Sequence, residues 1–127
     1  MQERYLYRGK TINGKWVQGL LATKENKWYI SNKSGAPFAY EILPESICQC
    51  TGLKDKNGKL IFENDVMEAH LDDEFPDDVT RTRVVWEENG LVTIEQGSID
   101  REYLCGFDTE HFEVVGNVFD NHELLEV

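Results

Sequence analysis

The sequence lacks any apolar run long enough to cross a membrane, and its first residues, MQERYLYRGK, lack the apolar core of a secretion signal. It also lacks internal repeats and any linker rich in proline, glycine or serine. Its 127 residues are the size of one ordinary domain. We therefore expect a single cytoplasmic domain, residues 1–127, that does not bind membranes.

Cysteine is scarce, and its three copies, Cys48, Cys50 and Cys105, are an odd number that excludes a fully paired disulfide framework. Cys48 and Cys50 would share one face of a strand and could bind Zn²⁺ together with Cys105 and a histidine. The two-residue gap usual between paired zinc ligands is missing, however, and buried cysteines commonly act as small apolar side chains. We expect reduced thiols and predict no cofactor.

Basic residues are few: 13 lysines and arginines stand against 24 aspartates and glutamates, which gives a net charge of -11. Nucleic acids and anionic lipids attract basic proteins, so neither is expected to bind this chain directly. A basic protein surface would suit it as a partner. The alternative is that the acidic surface only keeps the protein in solution.

Recognised catalytic motifs are missing as well. The sequence contains no G-x-S-x-G, H-E-x-x-H, P-loop or dinucleotide fingerprint, and His70, His111 and His122 are isolated from one another. Cys105 and His111 could meet in space, but nothing else in the sequence supports such a pair. Carboxylates are too abundant to single out an acid–base pair. These absences favour a protein without catalytic activity.

Short runs of strand-forming residues separated by turns make up most of the chain. Asn-Gly pairs at 13–14, within RYLYRGKTINGKWVQGLLA, and at 89–90, within RVVWEENGLVTIE, predict two-residue type I′ hairpin turns. The second hairpin would place Trp86 opposite Thr93. A polar TKENK turn follows the first hairpin.

Later segments add further expectations. Gly116 predicts a bulge or a close backbone approach, SIDREYL a short helix capped by Ser98, and DNHELLEV a helical turn. In ENDVMEAHL, alternation places Met67, Ala69 and Leu71 on the core face. So many short strands favour a mainly β domain, either a small antiparallel barrel or a sandwich.

Residues 50–70, CTGLKDKNGKLIFENDVMEAH, crowd turn-forming residues between two strand-like runs. Asp55, Asn57 and Gly58 suit one tight turn. Asn64 and Asp65 must reverse the chain before the alternation resumes. We interpret the turn-forming residues of this stretch as structural: Gly52, Asp55, Asn57, Gly58, Asn64 and Asp65.

Within this stretch, TGLKDKNGKLIFENDV resembles the signature TGLxDxxGxxIxExDxV of the YopX-like family, small proteins encoded mainly by phages and prophages. YRGK followed by GKWVQG, and the later FEVVGNVFDNHELL, are also similar to the family. Asn64 stands where the family usually has glycine. The resemblance implies a mainly β fold, a small antiparallel SH3-like barrel with an N-terminal hairpin extension and short helical turns, in a host bacterial cytoplasm. It implies no activity.

The segment HLDDEFPDD, residues 70–78, concentrates carboxylates that could bind a hard cation such as Ca²⁺ or Mg²⁺. Its candidate metal ligands are His70, Asp72 and Asp73. The segment lacks the central glycine and the closing glutamate of an EF-hand loop. A solvated acidic loop between two strands is therefore the alternative interpretation.

Tryptophan and tyrosine side chains could form a patch of the kind by which small barrels bind peptides. Most of them would instead fill the core or cover its ends, because these side chains bury large areas. Tyr29, which adjoins a polar loop, is the predicted exposed aromatic contact.

Three functional hypotheses follow. The first is a phage- or prophage-encoded, non-catalytic interaction or assembly module that binds a protein partner or forms a homo-oligomer. The second is an acidic DNA mimic that inhibits a DNA-binding protein of the host. The third is a metal-dependent enzyme that uses the acidic loop 70–78. The missing catalytic motifs favour the first.

Overall fold

The computed structural model describes residues 6–31, 39–71, 74–75, 77–87, 90–97, 101–121 and 123. Contacts within the chain define two compact units, Met1–Gly52 (unit 1) and Leu53–Val127 (unit 2). In chain order the strands are β1 (Tyr7–Lys10), β2 (Trp16–Lys24), β3 (Lys27–Ser31), β4 (Ala39–Ile42), β5 (Cys48–Lys54), β6 (Leu60–Phe62), β7 (Asp65–Ala69), β8 (Thr80–Glu87), β9 (Gly90–Glu95), β10 (Arg101–Tyr103) and β11 (Glu113–Asn117). A 3₁₀ turn occupies Pro44–Ser46 and helix α1 occupies Gly106–His111.

The predicted mainly β fold class is confirmed, and the strands form two antiparallel sheets. Their strand orders are β4-β3-β2-β1-β5-β6 and β10-β9-β8-β7-β11. Neither order returns to its first strand, so the described strands make two open sheets rather than one closed barrel. β5 crosses the boundary between the units, and β6 belongs to unit 2. The single domain over residues 1–127 stays a prediction.

The N-terminal hairpin forms with a different turn from the predicted one. β1 pairs antiparallel with β2, and Lys10 lies opposite Trp16. The amide of Thr11 donates to the carbonyl of Lys15, and the amide of Gly14 to the carbonyl of Thr11, both at 2.9 Å. Within this described loop, Gly14 alone has a positive φ, 81°. A type I turn followed by a left-handed glycine therefore replaces the type I′ turn.

Within unit 1, the end of β4 contacts the end of β1, although the two strands do not form a continuous ladder. An isolated bridge joins Thr11 to Ile42 at this point. A Cβ at Gly9 would collide with Ile42 and lie 3.5 Å from Ile30, and both isoleucines are buried. Glycine at this position therefore lets β1 and β4 approach closely.

The core of unit 2 combines side chains of β6, β7 and β8 with one that precedes β11. The buried cluster consists of Ile61, Met67, Ala69, Val84 and Phe112. The predicted core face of β7 is confirmed for Met67 and Ala69 and wrong for Leu71, which is 44% exposed. Leu71 lies beyond the end of β7, where strand alternation no longer decides which way a side chain faces.

β8 and β9 form the second predicted hairpin in a different register. Trp86 lies opposite Leu91, whereas Thr93 was the predicted partner. Gly90 pairs with Glu87 inside the ladder, so the predicted loop position was wrong by one residue. A register change of two leaves each side chain on its original side of the sheet.

Near the C-terminus one prediction is wrong and another is confirmed. The last residues of the supposed SIDREYL helix form β10, because they pair with β9; residues 98–100 lie outside the described residues. Gly116 marks a bulge, as predicted: the register of β11 against β7 shifts there, and a Cβ at Gly116 would collide with Asn121. Most of DNHELLEV lies outside the described residues. In the part of the chain that the structure describes, no helix has the length and apolarity of a membrane span.

The turn between β2 and β3 has an unfavourable backbone conformation. It joins Lys24 to Lys27 through Glu25 and Asn26, whose φ angles are 53° and 66°. Two-residue hairpin turns of this type need both central residues in the left-handed region, where glycine and asparagine fit best. Glutamate has no such preference, so the turn is strained at Glu25.

We expect Glu25→Asn to raise the free energy of unfolding by about 0.5–1 kcal/mol, because asparagine enters the left-handed region at lower cost. Urea denaturation followed by tryptophan fluorescence measures this change. Glu25→Gln is the matched control, since it removes the same charge and retains an unfavourable side chain. Equal effects of the two substitutions would show that charge, and not backbone conformation, limits the stability of the turn.

Candidate functional site

The first signature turn is built around the carboxylate of Asp55, which is 6% exposed. Its Oδ1 accepts hydrogen bonds from the amides of Asn57 and Lys59, both at 2.9 Å. Its Oδ2 accepts one from the amide of Val114 at 2.8 Å. Gly58 follows with a φ of 83°. Three backbone donors thus compensate for the burial of one carboxylate.

The same turn is attached to the start of β11 by two further bonds. The amide of Lys56 donates to the carbonyl of Phe112 at 3.1 Å. The side-chain amide of Asn57 donates to Glu113 Oε2 at 2.9 Å, in an exposed position. Since Asp55 and Val114 are 59 positions apart, this cluster organises unit 2 over a long stretch of sequence.

The second signature turn reverses the chain between β6 and β7. Asn64 adopts a φ of 70°, which asparagine tolerates where the family usually has glycine. The amide of Phe62 donates to Oδ2 of the fully buried Asp65 at 2.8 Å and closes the turn. The amide of Asn64 donates to the carbonyl of Val84 at 2.7 Å, which ties the turn to β8.

Both signature turns contact the same strand, β11. Asp65 lies opposite Asn117 in the ladder of β7 and β11, and the amide of Val118 donates to the carbonyl of Asn64 at 3.0 Å. At the other end of the strand, Val114 binds Asp55. The signature and the C-terminal segment, which both resemble the same family, are therefore joined in space.

The geometry of this cluster suits fold maintenance better than catalysis. A general acid or base must reach its substrate, whereas Asp55 and Asp65 are buried and accept hydrogen bonds from backbone amides. Gly52, the remaining signature residue, lies in β5 with a φ of 82°. Left-handed conformations at Gly52, Gly58 and Asn64 mark the points where the signature bends the chain.

Of the three predicted metal ligands, one lies among the described residues. His70 is exposed just after β7, while Asp72 and Asp73 lie outside the described residues. Among the residues that the structure describes, no group of three or more histidines, cysteines, aspartates or glutamates could hold a metal ion. A cation site in segment 70–78 therefore stays a prediction.

The cysteines occupy two kinds of environment. Cys48 and Cys50 are fully buried in β5, and Cys105 is exposed before α1. None of the three forms a disulfide bond. The thiol of Cys48 donates to the carbonyl of Ser46 at 3.4 Å. Burial of Cys48 and Cys50 agrees with their interpretation as small apolar side chains.

Tyr29 is half-buried, not the exposed aromatic that the sequence suggested. It lies in β3, opposite Ala22 of β2 and Glu41 of β4. Trp28 and Tyr40, in β3 and the adjacent β4, are more accessible, at 36% and 44% exposed.

One side of the unit 1 sheet combines basic and apolar side chains. The ring centre of Trp16 lies 5.0 Å from Arg8 Cζ and 5.4 Å from Lys10 Nζ. Such cation–π contacts hold basic groups over an aromatic surface. The strand register places Leu20, which is 40% exposed, on the same side. We call this side the Trp16 face; it continues through Ala22 and Tyr29 to Lys24 and Lys27.

Comparison with known families identifies the chain. Residues 3–126, nearly the whole sequence, match the family described as YopX protein. The chain belongs to the YopX protein family. Membership agrees with the signature turns and with the segments at either end that resemble the family. No curated protein matches the chain.

A solved structure shares the fold of this YopX-family chain. It is described as the crystal structure of protein EF1440 from Enterococcus faecalis. The TM-score is 0.55, with 96% of this chain and 97% of that chain covered, at 18% sequence identity. Identity this low shows a common fold and says nothing about activity.

Two features of this YopX-family chain escaped the sequence analysis. The bond between Asp55 and Val114 has no local signal, because its partners are 59 positions apart. The second feature is the unequal charge of the two units. Unit 1 contains seven lysines and arginines and four aspartates and glutamates, whereas unit 2 contains six and 20. Counting charges in windows along the sequence would have revealed this difference.

We expect Asp55→Ala to lower the free energy of unfolding by roughly 3 kcal/mol, because three backbone amides lose their acceptor. Asp55→Asn should cost less, since its side-chain oxygen still accepts a hydrogen bond. Urea denaturation measures both changes.

The control is Asn57→Ala, which removes only the exposed side-chain bond to Glu113 and should cost less than about 1 kcal/mol. A loss for Asp55→Ala no larger than that of the control would contradict the structural role of this carboxylate.

Proposed function

We propose that this YopX-family chain is a non-catalytic module that works by protein–protein contact, foremost by binding further copies of itself. A set of aromatic side chains left on the surface carries the proposal. Among the described residues, five aromatic side chains are 36% exposed or more: Trp28, Tyr40, Phe75, Trp86 and Tyr103. Aromatic side chains are enriched in protein interfaces, where their large apolar area becomes buried.

The position of two of these side chains strengthens the argument. Tyr103 is 62% exposed and lies on β10. This strand is at one edge of the five-stranded sheet that the described residues form, and all three of its residues are exposed. Tyr40 lies on β4, at one edge of the six-stranded sheet that the described residues form. Edge strands can add a strand from another chain, and an exposed aromatic beside the edge would add apolar contact.

The chemistry of the signature also supports a role without catalysis. The conspicuous carboxylates, Asp55 and Asp65, accept backbone hydrogen bonds and are removed from solvent. Cysteines outside any disulfide bond fit a reducing compartment, and family membership fits a phage or prophage origin. Both observations support the proposal that the module acts in the cytoplasm of a bacterial host.

We expect the purified chain to form an oligomer of fixed size whether or not a divalent metal is present, because buried aromatic contacts need no cation. Size-exclusion chromatography with light scattering, in a chelator and then in Mg²⁺, Ca²⁺ or Zn²⁺, measures this. A monomer that also captures no protein from lysogenic cells would contradict the proposal. If the chain associates only when metal is present, the hypothesis of a metal-dependent enzyme that uses the acidic loop 70–78 would be favoured instead.

A second candidate function, DNA mimicry, draws on the concentration of acidic residues in unit 2, 20 against six basic ones. A surface this acidic could occupy the DNA site of a basic host protein. We expect host proteins retained by the immobilised chain to be released by duplex DNA. Retained proteins that resist duplex DNA and elute only on denaturation would exclude mimicry.

A further inference from the structure

Part of the backbone of β10 faces away from the rest of its sheet. The amide of Leu104 donates to the carbonyl of Leu91 on β9 at 3.1 Å. The hydroxyl of Thr93, also on β9, donates to the carbonyl of Glu102 at 3.4 Å. In an antiparallel ladder, successive residues direct their amide and carbonyl to opposite sides. Glu102 and Leu104 therefore face β9, and Tyr103 between them directs both backbone groups to the open side.

The open side of β10 has no neighbouring strand among the described residues. β10 is at one edge of the five-stranded sheet, and its residues, Arg101–Tyr103, are all exposed. The backbone groups of Tyr103 form no hydrogen bond within the part of the chain that the structure describes. An exposed amide and carbonyl at the edge of a sheet can pair with an extended segment of another chain.

The side chain of Glu102 sets the charge of this edge. It is exposed, and Glu95, two residues from its partner on β9, is exposed on the same side of the sheet. Among the described residues, neither glutamate forms an ion pair. Arg83 and Arg101 lie on the opposite side by strand alternation, and Arg101 forms an ion pair with Glu87. The side of the edge that carries Glu102 is therefore negative.

The ring of Tyr103 gives the opposite side of the edge an apolar surface. Tyr103 is 62% exposed and lies opposite Val92, which in turn lies opposite Val85. A Cβ at Gly90 would lie 4.0 Å from the ring of Tyr103. The ring therefore extends beside the glycine and remains accessible next to the open backbone. An extended segment that suits both sides has basic residues alternating with apolar ones.

The charge of Glu102 disfavours a second copy of β10 as this segment. Two copies that pair through Arg101 and Tyr103 alone set Glu102 of one copy directly against Glu102 of the other. A register shifted toward the C-terminus needs the backbone of Cys105, whose amide already donates to Asp108 Oδ2 at 2.9 Å. Like charges in opposite positions destabilise a ladder, whereas opposite charges stabilise it. A segment with lysine or arginine opposite Glu102 is therefore favoured.

We propose that β10 binds an extended basic segment of a different protein, which adds to the edge as a further strand. The backbone of the segment bonds to Tyr103, a basic side chain meets Glu102, and apolar side chains contact the Tyr103 ring. Unit 2, with 20 acidic and six basic residues, attracts such a segment. This inference rests on the proposed action through protein–protein contact and adds a partner other than a further copy.

A synthetic peptide tests the contact. The probe is acetyl-Thr-Lys-Val-Lys-Val-Lys-Thr-amide, which we call the lysine peptide; as a strand it places lysine on one side and valine on the other. The purified chain should bind it. Glu102→Lys should weaken binding by roughly tenfold, because attraction at the cross-strand pair becomes repulsion. Isothermal titration calorimetry measures the dissociation constants.

The matched control is Glu45→Lys, which changes the net charge by the same amount at an exposed residue of unit 1. It should leave binding of the lysine peptide nearly unchanged. Equal losses for Glu45→Lys and Glu102→Lys would overturn the contact, because overall charge alone would then explain binding. Thermal unfolding verifies that both variants fold, and the exposure of both side chains predicts little loss of stability.

Hydrogen exchange distinguishes strand addition from simple attraction between charges. Exchange of the Tyr103 amide should slow when the lysine peptide binds, because the amide then donates to the peptide backbone. A lysine peptide N-methylated at every lysine and valine loses those backbone donors and should bind roughly tenfold more weakly. Unchanged exchange at Tyr103, or equal binding of the methylated peptide, would overturn strand addition.

Analytical ultracentrifugation of the chain separates this inference from the proposed function. A chain that self-associates and does not bind the lysine peptide would overturn the β10 contact and leave self-association standing. A monomeric chain that binds the peptide with protection of Tyr103 would reject self-association and leave the β10 contact standing. Dissociation of the self-associated chain by the lysine peptide would overturn the proposal of a different protein, because a second copy would then occupy the edge.

Discussion

A carboxylate that is almost fully buried must find donors for its oxygens, and Asp55 finds three, one of them 59 positions away in β11. This bond fixes one end of β11 against the signature turn. The other end is held where Val118 donates to Asn64. With both ends in place, β11 pairs with β7, and Phe112 just before it enters the core. The turns of the signature thus act as the attachment points of a distant strand.

The signature turns and the turn at Glu25 and Asn26 differ in how well their residues suit a left-handed backbone. At Gly58 and Asn64 a left-handed conformation is occupied by a residue that tolerates it, and the neighbouring carboxylates are hydrogen-bonded. At Glu25 the same conformation is occupied by a residue that does not favour it, between two lysines. The first arrangement stabilises the fold. The second is a local cost in stability.

Local patterns predicted some elements well. The first hairpin, the bulge at Gly116 and the burial of Met67 depend on turn residues or on alternation along one strand, and all three are present. The register of β8 against β9 was wrong because a two-residue shift preserves the pattern of faces. The segment before Leu104 was assigned to a helix because a weak helical pattern carries no information about pairing with β9.

By itself, the sequence determined family membership, the mainly β class and the places where the chain bends. These depend on residue order, on strand alternation and on which residues accept a positive φ, all of which are local properties. Tertiary structure alone decided that Asp55 binds Val114, that Tyr29 is half-buried while Tyr40 is exposed, and that two lysines face each other at the end of a hairpin. Those facts depend on which strands become neighbours, and packing between distant segments sets that choice.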